Sequence, residues 1–488
     1  MTNLLDHIMR LPFLARVFTA ATARVFVVFT ALAFSVCSVT EAYAQTSAED
    51  VETQVRQLLV RDMDRRHDAL KWLAERGDAD VAAALIMTLR YIRDDDRAIR
   101  DTLEALTAAQ PGDGWDDWIL WQEAHPEIIP FEGFDAFKAE LFALIDVNFQ
   151  LFLQRGIRHE IRPAEIVWGG VVKDGIPALN DPKHLSPDEA TYITNDELVF
   201  GAEINGDARA YPLRMLDWHE MFNDIVGGVP VALAYCTLCG SGILFETHVE
   251  GRSERFVFGS SGFLYRSNKL MYDQETHSLW NQFTGRPVVG PPTGPGIELA
   301  VRPAAITTWQ RWFARHPDTT VFSLDTGYAR EYTPGHPYAR YFASPDLMFP
   351  ALVHGTRLQP KDFVFALRSG VHEKAWPLTA FDGGAVINDR IGTLDVVLIG
   401  DAVSRTERAY DARAAGDPRI GIGHVRGGFL RVGQDARDAD LLHLDERAAQ
   451  DRIHEEDVGD AEVLQSLGEI AGAGNLVGGH VMVIRSSR

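Results

Sequence analysis

Apolar residues recur three and four positions apart from about Ala48 to Gly156, as in Val55-Leu58-Leu59, Leu70-Leu73 and Ala82-Leu85-Ile86-Leu89. That spacing lays one apolar stripe along an α-helix. Short polar links such as Arg76-Gly77-Asp78 separate the runs, so the pattern predicts a helical domain over 45–160, a bundle or HEAT-like hairpins. Its expected role is a scaffold or a surface that docks another protein. Asp94-Asp95-Asp96 reads as a helix N-terminus with solvated acids and not as a calcium loop, because the remaining liganding positions are absent.

Beyond Pro163 the texture changes to short β-branched and aromatic runs broken by Gly, Asn and Pro, as in Val226-Gly227-Gly228-Val229-Pro230. Strands are expected at Leu198 to Ile204, Val231 to Tyr235, Ile243 to His248 and Arg255 to Phe258. The fold class is therefore α+β, helical first and β-rich after.

A shift of 165 residues without a gap superposes Val199-Phe200 on Val364-Phe365, Ala210-Tyr211-Pro212-Leu213 on Ala375-Trp376-Pro377-Leu378, and Asn223-Asp224 on Asn388-Asp389. Three matches at one offset predict a duplicated β-rich domain: a first copy over 161–345 and a partial, degenerate second copy over 346–412. A smaller echo sets Trp118-x-x-Trp121-x-x-x-His125-Pro126 against Trp309-x-x-Trp312-x-x-x-His316-Pro317, explained by two Trp burying one helical face and a His-Pro step that ends the helix. After Arg413 Phe429 is the single aromatic residue, so 413–488 is expected to be a polar, weakly packed tail.

At the other end, Arg10, Arg16 and Arg24 precede the apolar run Val25 to Phe34, and Ala42-Tyr43-Ala44 presents small residues where a signal peptidase reads. This predicts a secretory signal over 1–44, cleavage before Gln45, and a periplasmic or secreted protein. The apolar run is shorter than the ~20 residues of a spanning helix, and no other stretch is longer, so no membrane span is expected after signal removal. Val36 before Cys37 argues against a lipoprotein signal. The net charge of −22 would repel a phosphate backbone and excludes nucleic acid as the expected partner.

With Cys37 in the signal, the mature chain keeps two of the three cysteines, both in Cys236-Thr237-Leu238-Cys239-Gly240-Ser241-Gly242. A thioredoxin-type pair would open a helix, whereas this one lies between two expected strands. The glycines after Cys239 permit a tight turn whose amides point at the sulfurs, the logic of a metal knuckle. At the 165-residue offset Cys236 faces Asp401, Cys239 faces Ser404, His219 faces Gly384 and Glu220 faces Ala385. Polar groups present in one copy alone mark a site that the fold does not require. His219 is thereby nominated as ligand or base, with Glu220 and Asp217 as proton carriers or as acids orienting the imidazole. Met271 would complete a soft set suited to copper, and an added carboxylate or water would suit zinc. Tyr265, Asn268 and Trp280 are expected to line a pocket for a small-molecule substrate.

Asp174-Gly175-Ile176-Pro177-Ala178, Ala210-Tyr211-Pro212-Leu213, Trp218-His219-Glu220, Tyr235-Cys236-x-x-Cys239-Gly240-Ser241-Gly242, Gly262-x-Leu264-Tyr265-x-Ser267-Asn268 and Met271-Tyr272-Asp273-x-x-Thr276-x-Ser278-Leu279-Trp280 occur in this order. Together they resemble the bacterial and archaeal family known as domain of unknown function 3179, over roughly Ile161 to Tyr341. The resemblance implies an exported domain and no reaction. Four readings of the cysteine pair stay open: a copper- or zinc-dependent oxidoreductase or hydrolase, a non-enzymatic metal carrier or sensor, a nucleophilic Cys236 with His219 as base, and a redox or purely structural disulfide.

Overall fold

The computed structural model describes residues 50–352, 358–369, 372–403, 405–411 and 482–485. The leader expected over 1–44 and most of the tail expected over 413–488 lie outside the described residues. The architecture is α+β, with helices first along the chain and β-structure after them. It divides into two compact units, one containing the helices up to Ala109 together with Ile129–Phe137, the other Gln110–Ile128 and the chain from Lys138 onward. No helix among the described residues is long and apolar enough to cross a membrane.

In the first unit α1 (Met63–Arg76) starts where Asp62 accepts the amides of Asp64 and Arg65, and stops at Gly77, whose φ of 75° suits glycine. With α2 (Ala82–Tyr91) and α3 (Asp96–Thr107) it buries the stripes anticipated from periodicity, including Leu70, Leu73, Leu85 and Ile86, and α3 adds Ile99 and Leu103. The triple-Asp run does sit at a helix N-terminus, but Asp95 is buried and not solvated, because Arg66, itself 2 % exposed, donates to Asp94 and Asp95.

The second unit carries the β-structure. Strands β1 (Leu198–Ile204) and β2 (Asp207–Pro212) form a hairpin, α4 (Leu213–His219) follows, and β3 (Met221–Val226), β4 (Val229–Cys236) and β5 (Ser241–Glu246) form an antiparallel run. The Gly227-Gly228 turn joining β3 to β4 has φ of 56° and 81°, and a Cβ on Gly227 would lie 2.0 Å from the Ile204 carbonyl oxygen. Only glycine fits there. Strands β6 (Phe258–Tyr265) and β7 (Asn268–Asp273) make the next hairpin, extended by β8 (Leu279–Asn281). β6 begins where the strand expected at Arg255 to Phe258 was to end. Its turn, Arg266-Ser267, adopts φ of 45° and 65° without a glycine, which is why the sequence did not announce it.

Beyond β9 (Ala305–Thr308) lie β10 (Phe363–Ser369), β11 (His372–Pro377), a 3₁₀ turn at Leu378–Phe381, β12 (Ala385–Ile391), β13 (Leu394–Asp401) and β14 (Thr406–Asp411). These stand 165 residues after β1, β2, α4, β3, β4 and β5, as 198 and 363 or 241 and 406 illustrate. The registers match too: Val199 faces Pro212 as Val364 faces Pro377, and Val231 faces Glu246 as Val396 faces Asp411. Even the outer partners agree, since β9 places Thr308 opposite Leu198 and β15 (Met482–Arg485) places Arg485 opposite Phe363. Phe200, Tyr211 and Leu233 share one buried cluster with Phe365, Trp376 and Leu398, their partners at that offset.

Within it the Tyr211 hydroxyl donates to Asp224 at 3.1 Å and the Trp376 ring N–H donates to Asp389 at 2.8 Å. A polar anchor that recurs at the same offset belongs to the scaffold.

Glu407 on β14 is 1 % exposed, and neither carboxylate oxygen has a hydrogen-bond partner among the described residues. Burial, reinforced by the charge of Asp401 and opposed by Arg405, pushes its pKa from 4.5 up to about 8. Raised in the folded state, this group contributes stability that is present below the unfolded value and lost as pH climbs toward the folded one. Glu407→Gln is therefore expected to raise the thermal midpoint at about pH 8.5 far more than at about pH 4. An equal shift at both pH values would assign the gain to packing instead of ionisation.

Candidate functional site

The cysteines close the turn between β4 and β5. The Cys239 amide donates to the Cys236 carbonyl at 3.1 Å and the Gly240 amide to the Thr237 carbonyl at 3.2 Å, with Gly240 at φ 64°. These amides thus serve the turn's own carbonyls instead of the sulfurs, unlike the expected knuckle. The corresponding turn of the later strands keeps the left-handed position at Arg405, φ 51°. Cys236 and Cys239 are joined as a disulfide with Cα atoms 5.3 Å apart, and both are buried, at 2 % and 7 % exposure.

Hairpin β6–β7 brings its turn against Cys239. The Ser267 carbonyl oxygen lies 3.8 Å from the Cys239 sulfur, and the Asn268 side-chain amide is 3.4 Å from it. Asn268 also donates to Gln282 Oε1 at 2.8 Å, and Gln282 Nε2 donates to the Ala234 and Ser241 carbonyls at 2.9 and 3.0 Å. Positive φ at two non-glycine residues is a local cost that tends to be kept where it positions something. Here the turn carries Asn268 to the sulfur.

A small open pocket touches the disulfide at Cys239 and is walled by Leu238, Ser267, Tyr341, Met348 and Phe349. Its free space of 20 Å³ compares with the about 10–15 Å³ that one water requires. The Tyr341 hydroxyl, donating to the Leu238 carbonyl at 3.1 Å, holds one wall in place.

Glu220 caps α4 in the left-handed region at φ 51°. Its carboxylate meets Lys269 Nζ at 2.9 Å, and Lys269 is 4 % exposed. The Tyr338 hydroxyl donates to the other oxygen at 3.3 Å; burial first, then the charges of Glu220 and Asp217, raise the Tyr338 pKa far above its ordinary value. Asp217 is buried on α4. The His219 ring is buried, which lowers its pKa; the Pro177 carbonyl opposes that shift and Arg330 adds to it. Nδ1 is 2.8 Å from the Pro177 carbonyl, which can only accept, so Nε2 accepts from the Tyr332 hydroxyl at 2.7 Å. Recruiting His219 as a ligand or base breaks one of these bonds.

The other nominated residues are distributed differently. Asn268 reaches Cys239. Met271, opposite Trp280 on the neighbouring strand, packs with it and Phe256 in an apolar cluster. The Trp280 ring N–H donates to buried Asp273 at 2.8 Å, and Tyr265 is buried at the end of β6. The described residues hold no group of three or more His, Cys, Asp or Glu gathered as metal ligands are. Gln282 was expected to close a pocket wall with Trp280, and Lys269 lay in the segment expected to bind a small ligand, but their partners were not foreseen, nor were Tyr338 and Tyr341; the one available signal was a lysine inside a strand, β7, in which every residue is buried.

A family model described as Protein of unknown function (DUF3179) matches residues 173–463. No curated protein and no solved structure matches the chain.

Proposed function

The chain belongs to the DUF3179 family, proteins of unknown function, and from that premise we propose that Cys236 and Cys239 carry out thiol–disulfide exchange. A substrate thiolate attacks one sulfur of the pair, a mixed disulfide forms, and the other cysteine leaves as thiolate. A second substrate thiolate then attacks the substrate sulfur of the mixed disulfide and expels the remaining cysteine as thiolate. The substrate dithiol is oxidised to its disulfide, and its two electrons and two protons end on the two cysteines. The observation that carries this reading is the position of the Cys239 sulfur, at the wall of an open pocket and 3.4 Å from the Asn268 amide. A purely structural staple needs neither access nor a donor. An exported location, as residues 1–44 lead one to expect, supplies the oxidising surroundings in which such a disulfide persists.

The β-rich region is best read as two copies of one unit sharing a core, the second having lost the site. Strand order, register and the Asp224 and Asp389 anchors at a constant offset support this.

The test is equilibration of the chain from Gln45 in dithiothreitol and glutathione redox buffers, with thiols counted by mass spectrometry. The expected outcome is reversible two-electron reduction above about −300 mV with far-UV circular dichroism unchanged, and a trapped mixed disulfide in Cys236→Ser. A disulfide that stays closed until the protein unfolds would reduce the pair to a staple. Stoichiometric copper or zinc on the reduced chain, lost in Cys236→Ser and His219→Ala, would put the metal site in place of exchange.

A further inference from the structure

We infer that Gln282 and Asn268 form an amide clamp that makes Cys239, and not Cys236, the sulfur that attacks and carries the substrate, an inference that rests on the exchange reading above. Gln282 is 0 % exposed, and both of its N–H bonds are committed to carbonyls, Ala234 on β4 and Ser241 on β5. Carbonyl oxygens can only accept, so the Gln282 amide cannot be turned round and its own oxygen must face Asn268. That oxygen also only accepts. Asn268, 3 % exposed, must therefore present its nitrogen, spending one hydrogen on Gln282 at 2.8 Å and aiming the other at the Cys239 sulfur at 3.4 Å. The orientation of both amides follows from two backbone carbonyls of the hairpin that holds the cysteines.

A fixed donor favours a sulfur that bears negative charge, because hydrogen bonds to ionised acceptors are about twice as strong as neutral ones. The thiolate at Cys239 is thereby stabilised both when it forms and when it leaves. The charged and titratable groups packed around this turn are already occupied: Lys269 with Glu220, Tyr338 with Glu220, and Tyr341 with the Leu238 carbonyl. In the reduced protein the Cys239 thiolate attacks one sulfur of a substrate disulfide, RSSR, and expels RS⁻. The Cys236 thiolate then attacks the Cys239 sulfur of the mixed disulfide, expels the second RS⁻ and re-forms the Cys236–Cys239 bond. The dithiol loses two electrons, RSSR gains them, and the two thiol protons pass to the leaving thiolates. Asn268 touches the reacting sulfur, and Gln282 acts through Asn268 as a positioning residue.

The experiment is limited alkylation of the reduced, folded chain with iodoacetamide at fixed pH, followed by peptide mass spectrometry that assigns the label. In the unaltered protein Cys239 is expected to be labelled first. Asn268→Leu, of similar size without a donor, is expected to slow Cys239 alkylation by about tenfold and to leave the Cys236 rate within twofold. Gln282→Leu gives a smaller loss because Asn268 is then free to turn. Asn268→Asp, the same shape with an acceptor in place of the donor, behaves as Asn268→Leu or worse, because it has no hydrogen for either the Gln282 oxygen or the sulfur; a merely structural loss would instead change the Cys236 and Cys239 rates together. Cys236 labelled first in the unaltered chain overturns the inference without any variant, as do unchanged rates in folded Asn268→Leu. Those outcomes leave exchange standing. A pair that releases no thiols while the chain is folded overturns both.

Discussion

Lys269→Met is expected to destabilise the β-rich unit by about 3–5 kcal/mol, the range for removing one partner of a buried ion pair. Lys269 and Glu220 are 4 % and 9 % exposed, so neither charge can turn to water when the other is gone. The orphaned carboxylate would keep Tyr338, a single neutral donor at 3.3 Å. Glu220 also occupies the left-handed residue between α4 and β3, and its backbone carbonyl accepts the Tyr235 amide at 2.8 Å. Loss of the pair is therefore felt at the base of the cysteine turn. Urea denaturation followed by circular dichroism measures the effect. The double variant Lys269→Met with Glu220→Gln is expected to recover most of it, because no unpaired charge remains. A single-variant loss below about 1 kcal/mol would class the pair with exposed ion pairs and overturn the expectation drawn from its burial.

Trp376→Ala is expected to cost about 3–5 kcal/mol, as large-to-small changes of aromatic core residues do. The ring is 2 % exposed, belongs to the cluster that holds Phe200 and Tyr211, and donates to Asp389. A residue of the later strands should then weaken the cysteine-bearing half as well. The measurement is protection of the cysteines from a reductant plus thiol trap as temperature rises, alongside the calorimetric transition. One transition, lowered for both readouts, is the expected result. If strands β10–β14 melted separately while the cysteines kept their protection, the shared core would not be a folding unit. Tyr211→Ala provides the converse experiment from the first half, and leaves Asp224 with His184 Nε2, 2.8 Å away.

Much of this molecule was legible in one dimension because its signals are local. Helical stripes depend on spacing along the chain, and the stripes read at Leu70-Leu73 and Leu85-Ile86 are the ones buried. The 165-residue offset showed in pairs such as Ala210-Tyr211 and Ala375-Trp376, and the element order and register follow the same offset. The Cys-x-x-Cys turn lies between strands, where the strands expected on either side put it, and Asn268 lies 3.4 Å from the Cys239 sulfur.

What surrounds the cysteines depends on contacts between segments far apart in the chain. The pairing of β7 with β6 shifts register between Lys269 and Met271; Met271 stands opposite Trp280 in the apolar cluster, while Lys269 reaches Glu220, forty-nine positions earlier. Nothing near Gln282 in the chain reveals that both its N–H bonds end on β4 and β5. His219, singled out because Gly384 stands at the 165-residue offset, spends its nitrogens on Pro177 and on Tyr332. Composition and periodicity report which residues avoid water and at what spacing. They carry no information on which buried donor faces which buried acceptor, because a hydrogen bond depends on distance and direction in space, and those arise when the strands pair.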